Sequence, residues 1–221
     1  MARRVATHFP QRINLRVPNM AYTGSMEGAD LITAVITASL TVDATAFLSA
    51  QSTAAAGTAT TFNNYLGTEA QMAKFGRSWQ VVASGAATGT VTASGRDYLG
   101  QRVTETLTLN GTTPVIGKKA IRYMDSISWT ISASVTVNVG TANIFGLQYK
   151  LKSLVTEIKN GAPAANAGTV VSGLTTGTAS TATTADVRGT YAPSTLLPDG
   201  TNVFELRYVA DNSNLHGNAQ A

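Results

Sequence analysis

The chain has no cysteine among its 221 residues. That excludes disulfide bridges, thiolate metal sites and thiol nucleophiles. It has two histidines, His8 and His216, near opposite ends. A serine-type triad needs an oriented base beside its nucleophile, and a zinc site needs several convergent ligands. Two remote histidines supply neither, and both read as solvated surface groups. Charge is scarce as well: Asp, Glu, Lys and Arg make up 13 %, about half the usual share of roughly 25 %. A long apolar run is also missing. The most apolar stretch, Leu31 to Leu48, alternates with Thr and contains Asp43, which is too polar to span a bilayer. The start is basic, but Arg12 and Arg16 interrupt the next residues and no apolar signal core appears. The expectation is a protein made in the cytoplasm, with no membrane partner.

Thr and Ala take the place of the missing charge, at roughly three residues in ten. A freely diffusing monomer normally keeps a charged surface. A surface of Thr, Ser, Asn and Ala fits assembly better, against the alternative of a small-residue-rich monomeric sandwich. The net charge is +4. Arg3, Arg4, Arg12 and Arg16 equal that whole excess, and no Asp or Glu lies between Met1 and Asn19. Pro10 and Pro18 disfavour helix there. Residues 1–24 therefore read as an extended basic arm, suited to an acidic partner surface or to nucleic acid.

Periodicity sets the fold class. From Ser126 to Gly140, Ile127, Trp129, Ile131, Ala133, Val135, Val137 and Val139 alternate with Ser, Thr and Asn, the period of a strand with one buried face. Leu31 to Val42 repeats the pattern. Ser49 to Thr61 is low in complexity and reads as a loop or flap. Tyr65 to Phe75 suggests a short helix or turn. Strands are expected at Trp79 to Val82, Gly89 to Ala93, Arg102 to Leu109, Leu151 to Lys159 and Asn202 to Ala210. Asn110-Gly111 is a strong hairpin signal, Gly140 to Asn143 a turn into Ile144 to Leu151, and Asp199-Gly200 another turn. The chain reads as all-β: an antiparallel β-sandwich or jelly-roll-like domain over residues 25–221, with an extended N-terminal arm and long loops. Residues 160–185, rich in Gly, Ala and Thr, form a flexible segment or an extension pinned by neighbouring subunits.

Chemistry-bearing patterns are few. Asp97, Glu105, Asp125, Glu157, Asp186, Asp199, Glu205 and Asp211 are scattered singly, as acids on strand edges and in turns are. No motif marks the paired carboxylates of a glycosidase. Gly95 to Gln101 lacks the spacing and following helix of a phosphate loop, and reads as a turn with an Arg96–Asp97 pair. Lys118, Lys119 and Arg122 form one basic cluster without interleaved aromatics, a poor nucleic-acid signal. Neither an enzyme, a cofactor nor a metal site is expected.

Three stretches carry a family resemblance: G-R-D-Y-L-G-Q from Gly95 with V-T-E-T-L-T-L-N-G-T from Val103, then G-K-K-A-I-R-Y-M-D-S-I from Gly117. V-N-V-G-T-A-N-I-F-G-L-Q-Y-K-L from Val137 and D-V-R-G-T-Y-A-P-S-T-L-L-P-D-G-T-N-V-F-E-L-R-Y from Asp186 belong with them. Together, from about Ser94 to the C-terminus, they resemble structural proteins of tailed bacteriophages. The resemblance implies a virion component, a decoration (cement) protein on the outside of the head shell, non-enzymatic and homo-oligomeric as a dimer or trimer. The major capsid protein would be its partner and nucleic acid would not. No functional side chain carries over from the family; it is the charge of the arm that makes Arg3, Arg4, Arg12 and Arg16 the candidates for docking on the shell. A tail, head-to-tail connector or fibre component is the alternative.

Overall fold

The computed structural model describes residues 31–36, 39–164, 167–174 and 186–219. The basic arm with Arg3, Arg4, Arg12 and Arg16 lies outside the described residues, as do 165–166 and 175–185 of the Gly/Ala/Thr-rich segment. Numbered in chain order, the strands begin with β1 (Leu31–Ile36), β2 (Leu48–Ser52) and β3 (Gly57–Ala59). A four-residue helix, α1 (Glu69–Met72), leads into β4 (Arg77–Ala83), β5 (Gly89–Arg96), β6 (Arg102–Thr108) and β7 (Val115–Ile116). Then come β8 (Tyr123–Ile131), β9 (Thr136–Gly146), β10 (Leu151–Lys159) and β11 (Ala162–Pro163). The last are β12 (Thr169–Ser172), β13 (Gly189–Ala192) and β14 (Phe204–Ala210).

The strands form three antiparallel sheets, in the β-sandwich class. One runs β1-β14-β10-β11, another β12-β13-β9-β4-β7 with β2 also on β9, and the third β3-β8-β5-β6. Two apolar cores lie between them, and β9 contributes to both. Its first half sends Val137 and Val139 into a core with Trp79, Val81, Val91, Val103, Leu107 and Ile127. Its far end sends Phe145 towards Tyr191, Phe204, Leu206 and Tyr208. Eleven residues are enough for one strand to serve two cores at ~3.4 Å per residue.

Several expectations need correction. Ser126 to Gly140 is not one strand but β8 and β9, which belong to different sheets. The chain turns at Ser132–Val135, where Thr53 Oγ1 donates to the carbonyls of Ala133 and Val135 at 3.0 and 2.9 Å. Ile131 and Val135, on either side of the corner, both pack against the core, so the alternation hides it. Gly140 to Asn143 is no turn: β9 runs straight through, and Gly140 is glycine because the backbone of Asp43 and Ala44 crosses there. A Cβ on Gly140 would stand 1.9 Å from the Asp43 carbonyl oxygen.

Other boundaries shift as well. The first strand ends at Ile36, and Leu40 and Val42 are exposed rather than inward. The stretch Ser49 to Thr61 is built into two sheets as β2 and β3. Gly57 lies against the Trp129 ring, where a Cβ would sit 2.5 Å from Cζ2, and Trp129 Nε1 donates to the Ala55 carbonyl at 3.0 Å. Asn110-Gly111 does turn, with Gly111 at φ 55° and a single antiparallel bridge between Asn110 and Thr113, but the hairpin goes no further, because β7 pairs with β4. Within 160–185, the described residues include β11 on β10 and β12 on β13. Among the described residues no helix is long and apolar enough to cross a membrane.

Candidate functional surfaces

Four of the eight scattered acids are not surface groups: Asp97, Glu105, Glu157 and Asp186 are buried, whereas Asp125, Asp199, Glu205 and Asp211 lie at the surface, Asp199 and Asp211 in turns as expected. Charged residues enter a core only when paired and hydrogen-bonded, and each of the buried four is. Asp97 pairs with Arg188, not with its neighbour Arg96. Arg188 Nη1 donates to Asp97 Oδ2 at 2.8 Å, with both side chains fully buried. The other oxygen of Asp97 accepts the Leu99 and Gln101 amides at 2.9 Å, closing the β5–β6 turn. One carboxylate thus joins the β5–β6 turn to the start of β13 in another sheet. The Tyr98 ring lies 4.9 Å from the Arg188 guanidinium and 5.4 Å from Phe75. Asp186 accepts the Arg188 amide at 3.0 Å and the Ala120 amide at 3.2 Å.

Glu105 is the second buried anchor. Its carboxylate accepts Trp79 Nε1 at 2.7 Å, the Lys118 amide at 2.7 Å and the Lys119 amide at 3.3 Å. Burial pushes its pKa up to about 7, against the pull of those N–H donors and of Lys119. Burial pushes Lys119 down, opposed by Glu105 and Asp186, while its ammonium donates to the Thr104 carbonyl at 2.8 Å. Arg122 donates to the Gly67 carbonyl at 2.9 Å. Of the basic cluster at 118–122, Lys119 and Arg122 therefore hold the fold together. Arg77, lowered to about 10 by burial, ties the Leu40, Gln71 and Ala142 carbonyls and Asn143 Oδ1 around the start of β4. Tyr191 donates to Glu157 at 2.5 Å, and both burial and that carboxylate raise its pKa.

These groups are used up in structure. His216 is exposed, with its ring 5.8 Å from that of Tyr149. Among the described residues, no three His, Asp or Glu side chains gather as metal ligands would.

Two surface features remain. The outer face of β6-β5-β8 is a plane of hydroxyls. Paired residues share a face, so the rows Thr108–Thr90–Thr130, Thr106–Thr92–Ser128 and Thr104–Ser94–Ser126 stand side by side. Thr92 and Thr106 join through their hydroxyls at 2.8 Å. The second feature is β1, an edge strand. It pairs with β14 on one side only among the described residues, and its sequence LITAVI carries no charge. Ala34 and Ile36 face the core, while Leu31 is 63 % and Val35 38 % exposed. Edge strands are normally blunted by charge, proline or a bulge, because their free N–H and C=O groups template pairing with another chain. Among the described residues, nothing of that kind protects β1.

The fold and its surfaces define an all-β body whose buried charges are structural and whose outer features are faces and edges. Comparison with protein-family models, with curated proteins and with solved structures finds no match to this chain.

Proposed function

We propose that the protein is a non-enzymatic structural subunit of a virion: a decoration (cement) protein that binds the outer head shell of a tailed phage and bridges its major capsid subunits. The β1 edge carries the reading. An uncharged edge strand with outward Leu31 and Val35 suits β-strand addition, in which main-chain hydrogen bonds give affinity and alternate side chains give fit. The Ser/Thr plane and the low charge support assembly in the same way. On this reading, Arg3, Arg4, Arg12 and Arg16 dock on acidic shell surface, and repeated contacts of modest strength sum across the lattice.

The test has two parts. Mass spectrometry of the virions that contain the protein gives its copy number, and cosedimentation with shells stripped of it gives binding. Decoration expects abundance approaching that of the shell protein. It also expects Val35→Lys to lower shell binding by about tenfold or more at unchanged melting temperature. A few copies per particle, located at the tail, would replace this reading with that of a tail, connector or fibre part.

A further inference from the structure

The hydroxyl plane ends in a depression that the β1 edge, on which the shell-docking reading rests, does not involve. Between Ser94 and Gly95 the β5–β8 register slips, so that Ser94 faces Ser126 while Gly95 faces Met124. Asp125 is the extra residue of this bulge, and it projects from the sheet with 47 % of its side chain exposed. Bulges re-aim side chains and recur beside functional sites. Here the bulge places a carboxylate over a cleft of about 440 Å3, lined by Ser94, Arg102, Thr104, Asp125 and Ser126. That volume falls within the ~300–1,000 Å3 of small-molecule sites.

The polar groups of the cleft are available. Among the described residues, the hydroxyls of Ser94, Thr104 and Ser126 make no hydrogen bond, and the Arg102 guanidinium makes no ion pair. Arg96 holds Asp125 through Nε alone, at 3.5 Å and half in solvent, and an exposed pair of this kind opens at little cost. In register with Arg96 stands Tyr123, 45 % exposed. A half-exposed tyrosine offers a rigid apolar face with a polar tip; the Arg122 guanidinium lies over one side of the ring at 4.6 Å, so a ligand would use the other.

We propose that this cleft binds an acidic saccharide. Arg102 takes the sugar carboxylate in a charge-assisted, bidentate contact. Asp125 accepts two neighbouring hydroxyls, the three serine and threonine hydroxyls exchange hydrogen bonds with others, and Tyr123 covers the apolar face of the ring. Three hydroxyls beside one unpaired cation match a hydroxyl-rich ligand of single negative charge. A polyanion such as nucleic acid would call for a run of cations.

The test uses the full-length protein, titrated with trigalacturonate, sialyllactose, neutral maltotriose and a hexaglutamate peptide while amide resonances are followed by NMR. At least one acidic saccharide is expected to shift Ser94, Thr104 and Ser126, and to bind about tenfold or more tightly than maltotriose. Arg102→Gln and Asp125→Asn, both on exposed positions, should each weaken that binding by about tenfold or more at unchanged melting temperature. The assignment is overturned if neither acidic saccharide shifts these amides, if hexaglutamate shifts them equally, or if Arg102→Gln leaves the affinity unchanged. Shell binding is read separately, so either result leaves the docking reading to its own test.

Discussion

Glu105 makes stability depend on pH in a direction opposite to that of most carboxylates. Its pKa stands at about 7 in the folded protein against 4.5 ordinarily, because burial penalises the ionised form more than the surrounding N–H groups favour it. The folded state therefore keeps the proton to higher pH than the unfolded chain does. Stability from this group is full below 4.5 and is lost as pH rises through 7, by about 3 kcal/mol in all. Glu105→Gln removes the titration. It also turns an NH2 group towards either Trp79 Nε1 or the Lys118 amide, which leaves a buried donor unpaired at a cost of about 1–3 kcal/mol. At pH 5 the variant should then be less stable than the parent by about that amount. By pH 8 the parent has lost its own ~3 kcal/mol, and the gap should close or reverse. Urea denaturation of both proteins at pH 5, 6, 7 and 8 reads the difference, in which the titrations of groups not coupled to Glu105 cancel. A gap that stays constant across the series would show that the N–H donors hold Glu105 ionised throughout, and that burial does not govern its titration.

Two further perturbations probe the joints of the fold. Arg188→Met strips the partner from fully buried Asp97 and should cost about 3–5 kcal/mol in urea denaturation, with part of the loss recovered when Asp97→Asn removes the stranded charge. Gly140→Ala drives a Cβ into the backbone of Asp43 and Ala44; because backbone atoms cannot step aside, it should cost about 3 kcal/mol or more, seen as a lowered melting temperature.

Strand positions were readable where one face alone is buried. Val103, Glu105 and Leu107 face inward on β6, and Phe204, Leu206 and Tyr208 on β14, as their alternation implies. The period of two reports which side is inside, but not when the strand bends, and so the β8–β9 corner was invisible. Gly140 carried the residue type of a turn for another reason, a chain crossing close above it. The roles of the acids were hidden for a related cause. Asp97 meets Arg188 from 91 positions away, and no local spacing encodes that meeting. Glu105 did leave a trace, since it occupies an inward position among Val and Leu. The cleft on the hydroxyl plane depends on a one-residue slip of register, which the repeat of Ser and Thr does not mark.

The distribution of charge connects the interior to the proposed role. Among the described residues, the acids Asp97, Glu105, Glu157 and Asp186 are buried, and so are the bases Arg77, Lys119, Arg122, Lys150, Lys159 and Arg188. An already low charge content is thus drawn further inward, where removing one partner is costly and the pairing fixes how the sheets meet. The surface left behind is carried by hydroxyls and small apolar groups, which hydrate without repelling a like surface. A body with a hydroxyl face and a β1 edge that pairs on one side only among the described residues presents both to a partner, as the proposed role requires. On the proposed reading, the interior keeps the sheets in one arrangement while neighbours hold the outside, as they would in a lattice component.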